Sequence, residues 1–111
     1  MATTPAVLIE AKFAETAQTD QYTSTNVQTS IDKFTATNVT GVAATITVNL
    51  LAPAGAAGTS NAITFTKTIV PGKPYIFPEI VGHVLEVGGK ISTIAGTASA
   101  IVIRASGRKF S

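Results

Sequence analysis

The sequence predicts an all-β fold, an antiparallel β-sandwich or flattened barrel of about seven to eight short strands. Apolar and polar residues alternate along most of the chain, and Thr, Val and Ile, which suit strands, recur in the alternating runs. Short segments rich in Gly, Pro and Asn separate these runs and are typical of turns. No stretch carries a long amphipathic helical pattern, so we expect no helix beyond a single turn.

Four runs give the clearest strand pattern, at residues 6–14, 42–51, 61–70 and 98–106. Lys67 falls on the apolar face of the third run, which indicates a strand at the edge of its sheet. The apolar parity predicts the inward faces, which are Val7, Ile9, Ala11 and Phe13 in the first run; Val42, Ala44, Ile46, Val48 and Leu50 in the second; Ile63, Phe65 and Ile69 in the third; and Ile101, Ile103 and Ala105 in the fourth.

Residues 27–38 form a fifth predicted strand whose alternation changes parity in the middle. Ile31 follows one parity and Phe34 follows the other. A β-bulge near Asp32 and Lys33 would return both apolar side chains to one face, because one extra residue reverses the register. We therefore predict a bulge there and expect Ile31 and Phe34 to point into the core.

The remaining segments are shorter. Residues 75–77 and 90–95 are predicted to be short strands, and residues 78–87 to be an irregular crossing with one helical turn around 81–85. Residues 52–60 contain only small and turn-forming residues, so we expect a surface loop.

The length of 111 residues fits one domain. We assign residues 6–111 to a single β-sandwich domain. Residues 1–5 carry no strand pattern, and Pro5 has no N–H to donate to a sheet. They are therefore interpreted as a candidate N-terminal arm that could reach a neighbouring subunit.

Charged residues make up only 13% of the chain, against about a quarter in typical domains, and Thr, Ser, Asn and Gln take their place. Such a surface loses little solvation when it meets another protein, which favours broad protein contacts. An ordinary Thr-rich β-domain explains the composition equally well. The net charge is +2, and the dense basic group Arg104, Arg108 and Lys109 is interpreted as a solvated tail. No nucleic-acid partner is expected.

The chain has no Cys, so it can form no disulfide and no zinc–thiolate site. The N-terminus has no basic region followed by an apolar run, and no segment is long and apolar enough for a bilayer span. We expect synthesis in a cytoplasm and no membrane partner.

No group of residues predicts catalysis, a cofactor site or a metal site. His83 is the single histidine, with Glu79 and Glu86 as its nearest carboxylates in sequence. A metal site needs further ligands and a catalytic histidine needs a nucleophile in reach, so we expect the His83 imidazole to hydrogen-bond the backbone of the crossing. The six carboxylates are scattered, and no pair of them suggests a glycosidase. The prediction is a protein that is not an enzyme.

Seven aromatic side chains could serve as core residues or as binding anchors. Strand parity assigns three of them to the core, namely Phe13, Phe34 and Phe65. Three others are free to face a partner and are the candidate contact residues, namely Tyr22, Tyr75 and Phe110.

Three stretches together carry a resemblance to a known class of proteins. They are residues 31–38 (IDKFTATN), residues 71–75 (PGKPY) running into 78–85 (PEIVGHVL), and residues 103–108 (IRASGR). The combination resembles small β-sandwich virion structural proteins of tailed bacteriophages, the decoration and accessory subunits of the particle, from about Leu8 onward. The resemblance implies a structural role in the particle and no catalytic residues.

The function expected from this resemblance is that of a capsid decoration (cement) protein on the capsid exterior. It would form a small homo-oligomer, a trimer, and bind the major capsid protein of the assembled head. One alternative is a head–tail connector or tail accessory subunit. Another, of a different class, is a carbohydrate-binding surface module that uses Tyr22 or Tyr75.

Overall fold

Two antiparallel sheets pack against each other in the computed structural model, which describes residues 3–110. The all-β sandwich prediction is confirmed, and no α-helix occurs in this part of the chain. The nine strands are β1 (Thr3–Phe13), β2 (Thr19–Thr23), β3 (Gln28–Asn38), β4 (Ala44–Leu51), β5 (Ala62–Ile69), β6 (Pro74–Tyr75), β7 (Val84–Leu85), β8 (Lys90–Ala95) and β9 (Ile101–Phe110), with a 3₁₀ turn at Thr59–Asn61.

The first sheet has the order β1-β9-β3, and β6 and β7 lie end to end along the outer edge of β3. The second sheet has the order β2-β8-β4-β5. Strand β5 therefore lies at an edge, as Lys67 predicted. Strands β2 and β7 are additional to the predicted ones, because β2 (TDQYT) has no alternating apolar residues and β7 has only two residues.

The predicted bulge in β3 is confirmed. Ile31 is opposite Gly107 of β9 and Lys33 is opposite Ser106, so Asp32 is the extra residue. Ile31 and Phe34 are both fully buried. The bulge therefore keeps two large apolar side chains on the core face of a single strand.

One hydrophobic core lies between the sheets. The first sheet contributes Phe34 and Ile103 to it, and the second contributes Val48 and Ile91, all of them fully buried. Phe77, from the crossing after β6, packs edge-on against Phe34 with ring centroids 4.7 Å apart. Such edge-to-face aromatic pairs add to the stabilisation that burial alone provides.

The predicted inward face of β1 is wrong except at Ile9. Two register shifts against β9 interrupt the strand, one between Val7 and Ile9 and one between Ile9 and Lys12. Consequently Leu8 and Ile9 are buried, whereas Val7, Ala11 and Phe13 are exposed. The alternation in the sequence is regular, but the pairing is not.

The predicted inward face of β5 is wrong in its first half. Thr64 is buried, while Ile63 is exposed and 67% of Phe65 is exposed. Thr66 has a positive φ of 48°, and the pairing with β4 shifts register in this region. Ile69 is buried as predicted because the shift restores its parity.

The inward face of β4 is confirmed at Ala44, Ile46 and Val48, which are buried. Val42 precedes the strand and is 73% exposed, so its predicted inward position is wrong. Leu50 is only half-buried and packs against the core. In β9 the predicted inward residues are all buried, namely Ile101, Ile103 and Ala105.

The helical turn of the crossing lies earlier than predicted. The N–H groups of Ile80 and Val81 both donate to the carbonyl of Phe77, at 3.0 and 3.2 Å. Residues 84–85 form β7 instead of a turn. The crossing thereby covers the outer edge of β3, since the Gly82 N–H donates to the Ile31 carbonyl at 2.7 Å.

At residues 3–5 the structure differs from the predicted N-terminal arm. Thr3, Thr4 and Pro5 pair with Phe110, Lys109 and Arg108 of β9, so they extend β1 instead of standing apart from the sheet. Residues 1 and 2 lie outside the described residues.

Candidate interaction surface

Four chain connections meet at one end of the sandwich, which we call the loop end. They are residues 14–18, 39–43, 70–73 and 96–100. Backbone hydrogen bonds join them to each other and to the strand ends. The Val39 N–H donates to the Ala100 carbonyl at 2.9 Å, and the Gly72 N–H donates to the Asn38 carbonyl at 2.8 Å. The loop end is therefore a connected surface and not four separate loops.

Asn38, at the end of β3, holds this surface together from beneath. Its side chain is fully buried. The Nδ2 group donates to the carbonyls of Val42 at 2.8 Å and Ile69 at 2.9 Å. Oδ1 accepts hydrogen bonds from the N–H and the hydroxyl of Thr40, at 2.9 and 2.7 Å. One amide thus fixes the β3–β4 turn and the end of β5.

The loop end exposes apolar side chains. Val39 is 55% exposed, Val42 73% and Val70 53%, and Phe13, the last residue of β1 beside this end, is 46% exposed. The only charged residues in its four connections are Glu15 and Lys73, and the Glu15 carboxylate is paired with Lys12 at 2.9 Å. This surface can be desolvated at little electrostatic cost, because few charges lie in it. Such a surface is suited to contact with another protein.

The alternation of apolar residues in the sequence does not reveal this surface. Val42 was predicted to face the core and Val70 to end a strand, whereas both lie just outside a strand and face solvent, as Val39 does. The available signal is valine beside Gly or Pro in a turn, as in Val39-Thr40-Gly41-Val42 and Val70-Pro71-Gly72. Turns are usually polar, so exposed valines in them are unusual.

Tyr22, a candidate contact residue, is half-buried in β2 and packs against the core. Its hydroxyl is 2.9 Å from the Thr29 hydroxyl of β3, which is itself buried and 2.7 Å from the Ser24 hydroxyl. The Lys109 ammonium lies 5.8 Å from the centre of its ring. The hydroxyl is engaged within the protein, and only part of the side chain remains open to a partner.

Tyr75, the second candidate, is half-buried in β6 and packs edge-on against Phe77. Its hydroxyl donates to both carboxylate oxygens of Glu79, at 2.7 and 3.0 Å. Burial, together with the hydrogen bond to the Glu79 carboxylate, raises the pKa of Tyr75 to about 12. The Lys67 ammonium lies 4.7 Å from the ring centre.

The Glu79 carboxylate connects the two sheets through these groups. It also accepts a hydrogen bond from the Thr64 hydroxyl of β5 at 2.5 Å. Burial opposes its ionisation, but the hydrogen bonds from Thr64 and Tyr75, a backbone hydrogen bond and the charge of Lys67 together lower the pKa of Glu79. The arrangement is a clasp between the crossing and the edge of the second sheet.

Phe110, the third candidate, is half-buried at the end of β9, with the Arg108 guanidinium 5.9 Å from its ring centre. It pairs with Gln28, whereas Tyr75 pairs with Ala36. These positions are eight residues apart in β3, a distance of about 26 Å along a strand. The three aromatic candidates therefore do not form one patch.

His83 acts in the crossing through its backbone. Its carbonyl accepts from the Ile31 N–H at 2.9 Å and its N–H donates to the Ile80 carbonyl at 3.2 Å. The side chain is exposed, beside Ile63 and Glu86. Within residues 3–110 the imidazole forms no hydrogen bond, so the predicted bond from the imidazole to the backbone is wrong. The main chain of His83 makes the bonds to the crossing and to β3 instead.

Among residues 3–110, no three His, Asp or Glu side chains lie close enough together to bind a metal ion. In the same part of the chain, no helix has the length and apolar character needed to cross a membrane.

No protein-family model, curated protein or solved structure matches this chain.

Proposed function

We propose that this protein is a structural component of a tailed-phage virion, specifically a capsid decoration protein that binds and stabilises the assembled head. The observation that carries the proposal is the loop end, a connected, apolar surface with few charges. It supports a role in which the protein works by contact with other proteins. The virion assignment comes from the resemblance in the sequence.

The three resembling segments lie next to each other in the first sheet. Residues 31–38 are in β3 and residues 103–108 are in β9, its direct neighbour. Residues 71–85 cover the outer edge of β3. The resemblance thus concerns one continuous structural unit, which supports reading the segments together.

The proposed mechanism is stabilisation of the shell by binding that only the assembled lattice allows. A ligand that binds one state and not another stabilises that state by mass action. Burying one exposed valine or phenylalanine contributes about 1–2 kcal/mol, so one loop end gives modest affinity. A homo-oligomer, proposed as a trimer, would present several loop ends to neighbouring copies of the major capsid protein and bind much more tightly.

The direct test is the copy number of this protein in purified particles, measured by quantitative mass spectrometry against the major capsid protein. A decoration protein is expected at on the order of hundreds of copies, and a connector or tail subunit at about twelve or fewer, following the symmetry of each site. A low copy number would instead identify the protein as a connector or tail subunit. Complete absence from the particle would overturn both assignments.

A second test asks whether the loop end makes the contact. Val42→Asp and Val70→Asp should each weaken binding to stripped capsids by at least about tenfold, because each buries a charge in an apolar interface. Val87→Asp is the matched control, since Val87 is 52% exposed and Val70 is 53% exposed. Equal losses in all three variants would remove the loop end from the mechanism.

A further inference from the structure

The outer face of the first sheet carries a shallow depression of about 420 Å³. Its lining residues come from the three long strands of that sheet and include Ala11, Lys33, Thr35, Thr37, Val102 and Arg104. The floor is apolar at Ala11 and Val102, and the walls carry hydroxyls and two cations. This surface is distinct from the loop end.

Two arginines on this face of β9 have opposite surroundings. The Arg108 guanidinium binds the Asp32 carboxylate through Nε at 2.9 Å and through Nη2 at 3.1 Å. Arg104 is also exposed, but among residues 3–110 it takes part in none of the salt bridges. Glu10 and Ala11 stand opposite Arg104 in the interrupted pairing of β1, and the Glu10 carboxylate does not pair with it. One arginine is therefore satisfied within the protein and the other is open.

A second open cation lies next to Arg104. Lys33 is exposed and opposite Ser106, so it is the diagonal neighbour of Arg104 across the β3–β9 pair. Diagonal neighbours lie about 7–8 Å apart, within reach of long side chains. Like charges at this spacing repel each other in the free protein. A partner that brings negative charge relieves that repulsion, whereas a neutral partner does not.

We propose that this depression binds an extended acidic polypeptide segment of a partner protein. Alternate side chains of an extended chain lie about 7 Å apart, so two carboxylates at positions i and i+2 match the spacing of Lys33 and Arg104. The Thr35 and Thr37 hydroxyls line the depression and can donate hydrogen bonds to the segment. The apolar floor accepts its aliphatic carbons.

The observations favour a polypeptide over a nucleic acid. Binding to nucleic acid draws on many phosphate contacts, and each contributes through released counterions. The depression offers two open cations, and Arg108 beside it is already occupied by Asp32. Two cations around an apolar floor suit a short acidic segment better than a phosphate backbone.

The test uses the whole protein, a synthetic peptide of about ten residues with alternating Glu and Thr, the same peptide with Gln for Glu, and a single-stranded oligonucleotide of equal charge. Binding is followed by NMR. The acidic peptide should shift the amide signals of residues 33–37 and 102–106 selectively. The Gln peptide should bind at least fivefold more weakly. No selective shifts at millimolar peptide, or tighter binding of the oligonucleotide, would overturn the proposal.

Variants separate a local site from general charge attraction. Arg104→Gln and Lys33→Gln should each weaken peptide binding at least fivefold while leaving the thermal midpoint unchanged or raised, since each removes repulsion. Lys73→Gln removes the same charge from an exposed position at the loop end and should change binding less than twofold. Equal effects of Lys73→Gln and Arg104→Gln would mean that no defined site exists.

Discussion

The Nδ2 group of Asn38 donates a hydrogen bond to the carbonyl of Ile69 at 2.9 Å. Asn38 ends β3 in the first sheet and Ile69 ends β5 in the second, so this bond ties the sheets together beneath the loop end. The amide is fully buried and all its hydrogen-bonding capacity toward Val42, Thr40 and Ile69 is used. A buried amide of this kind is valuable only while every partner is in place.

Asn38→Leu should lower the free energy of unfolding by about 3 kcal/mol. Leucine is similar in size to asparagine but cannot form hydrogen bonds, so the buried backbone groups that the amide binds lose their partner. Urea denaturation measures the change. Gln28→Leu, at the exposed start of the same strand, is the control and should change stability by less than about 0.5 kcal/mol. Equal stability of Asn38→Leu and the unmodified protein would show that the amide does not hold the loop end.

Phe34→Ala should destabilise the fold by about 3–5 kcal/mol, the usual effect of truncating a fully buried phenylalanine. Phe65→Ala is the matched control, since Phe65 is 67% exposed, and should cost less than about 1 kcal/mol. Chemical denaturation of both variants checks the burial pattern of β3 and β5. A larger effect at Phe65 than at Phe34 would contradict the register of both strands.

These two phenylalanines also show how far sequence reasoning reaches. The bulge at Asp32 was predictable because Ile31 and Phe34 break the alternation of a central strand. The shifts in β5 were not predictable, because Ile63 and Phe65 alternate regularly with threonines. Strand β5 pairs on one side only, so tertiary pairing with β4 decides which face is buried there, and the periodicity of the sequence does not.

The candidate contact residues likewise show that local sequence patterns do not predict tertiary contacts. Tyr22, Tyr75 and Phe110 were selected because they were left over from the core. In the structure Tyr75 and Phe110 pair with opposite ends of β3, and the hydroxyls of both tyrosines are already engaged. The sequence showed Asn38 only as the last residue of a predicted strand. Its role depends on residues about thirty positions away in the chain, and local patterns cannot report such contacts.

Lowering the pH should destabilise the protein through the clasp at Glu79. Its pKa in the folded protein lies below the ordinary value of 4.5, so the native state favours the carboxylate. The stabilisation is complete above pH 4.5 and is lost as the pH falls through the lowered folded pKa. Urea denaturation between neutral pH and pH 3 should show this loss.

Glu79→Gln is the test variant for the clasp. It should be less stable than the unmodified protein at neutral pH and should lose less stability on acidification. Glu10→Gln removes an exposed carboxylate of β1 and serves as the control, with little change in either quantity. An identical pH dependence in Glu79→Gln and the unmodified protein would exclude the clasp as a source of acid sensitivity.

Tyr75 should ionise only at strongly alkaline pH. The chain has two tyrosines, so Tyr22→Phe leaves Tyr75 as the single phenol. Ultraviolet titration of that variant should give a pKa of about 12, caused by burial and by the Glu79 carboxylate. Adding Glu79→Gln should lower it, with circular dichroism confirming that both proteins remain folded. A value near the ordinary 10.0 would show that the phenol does not donate to Glu79 in solution.

Deleting residues 1–5 should weaken the fold itself. The deletion removes the pairing of Thr3, Thr4 and Pro5 with the end of β9. Pro5 donates no hydrogen bond, and each remaining ladder bond contributes about 0.5–1.5 kcal/mol, so the expected loss is about 1–3 kcal/mol. Deleting only residues 1–2 is the control and leaves these pairs intact. Thermal melting and binding to stripped capsids are measured together. Unchanged melting with lost capsid binding would restore the N-terminal arm, whereas lowered melting with retained binding identifies residues 3–5 as part of the sandwich.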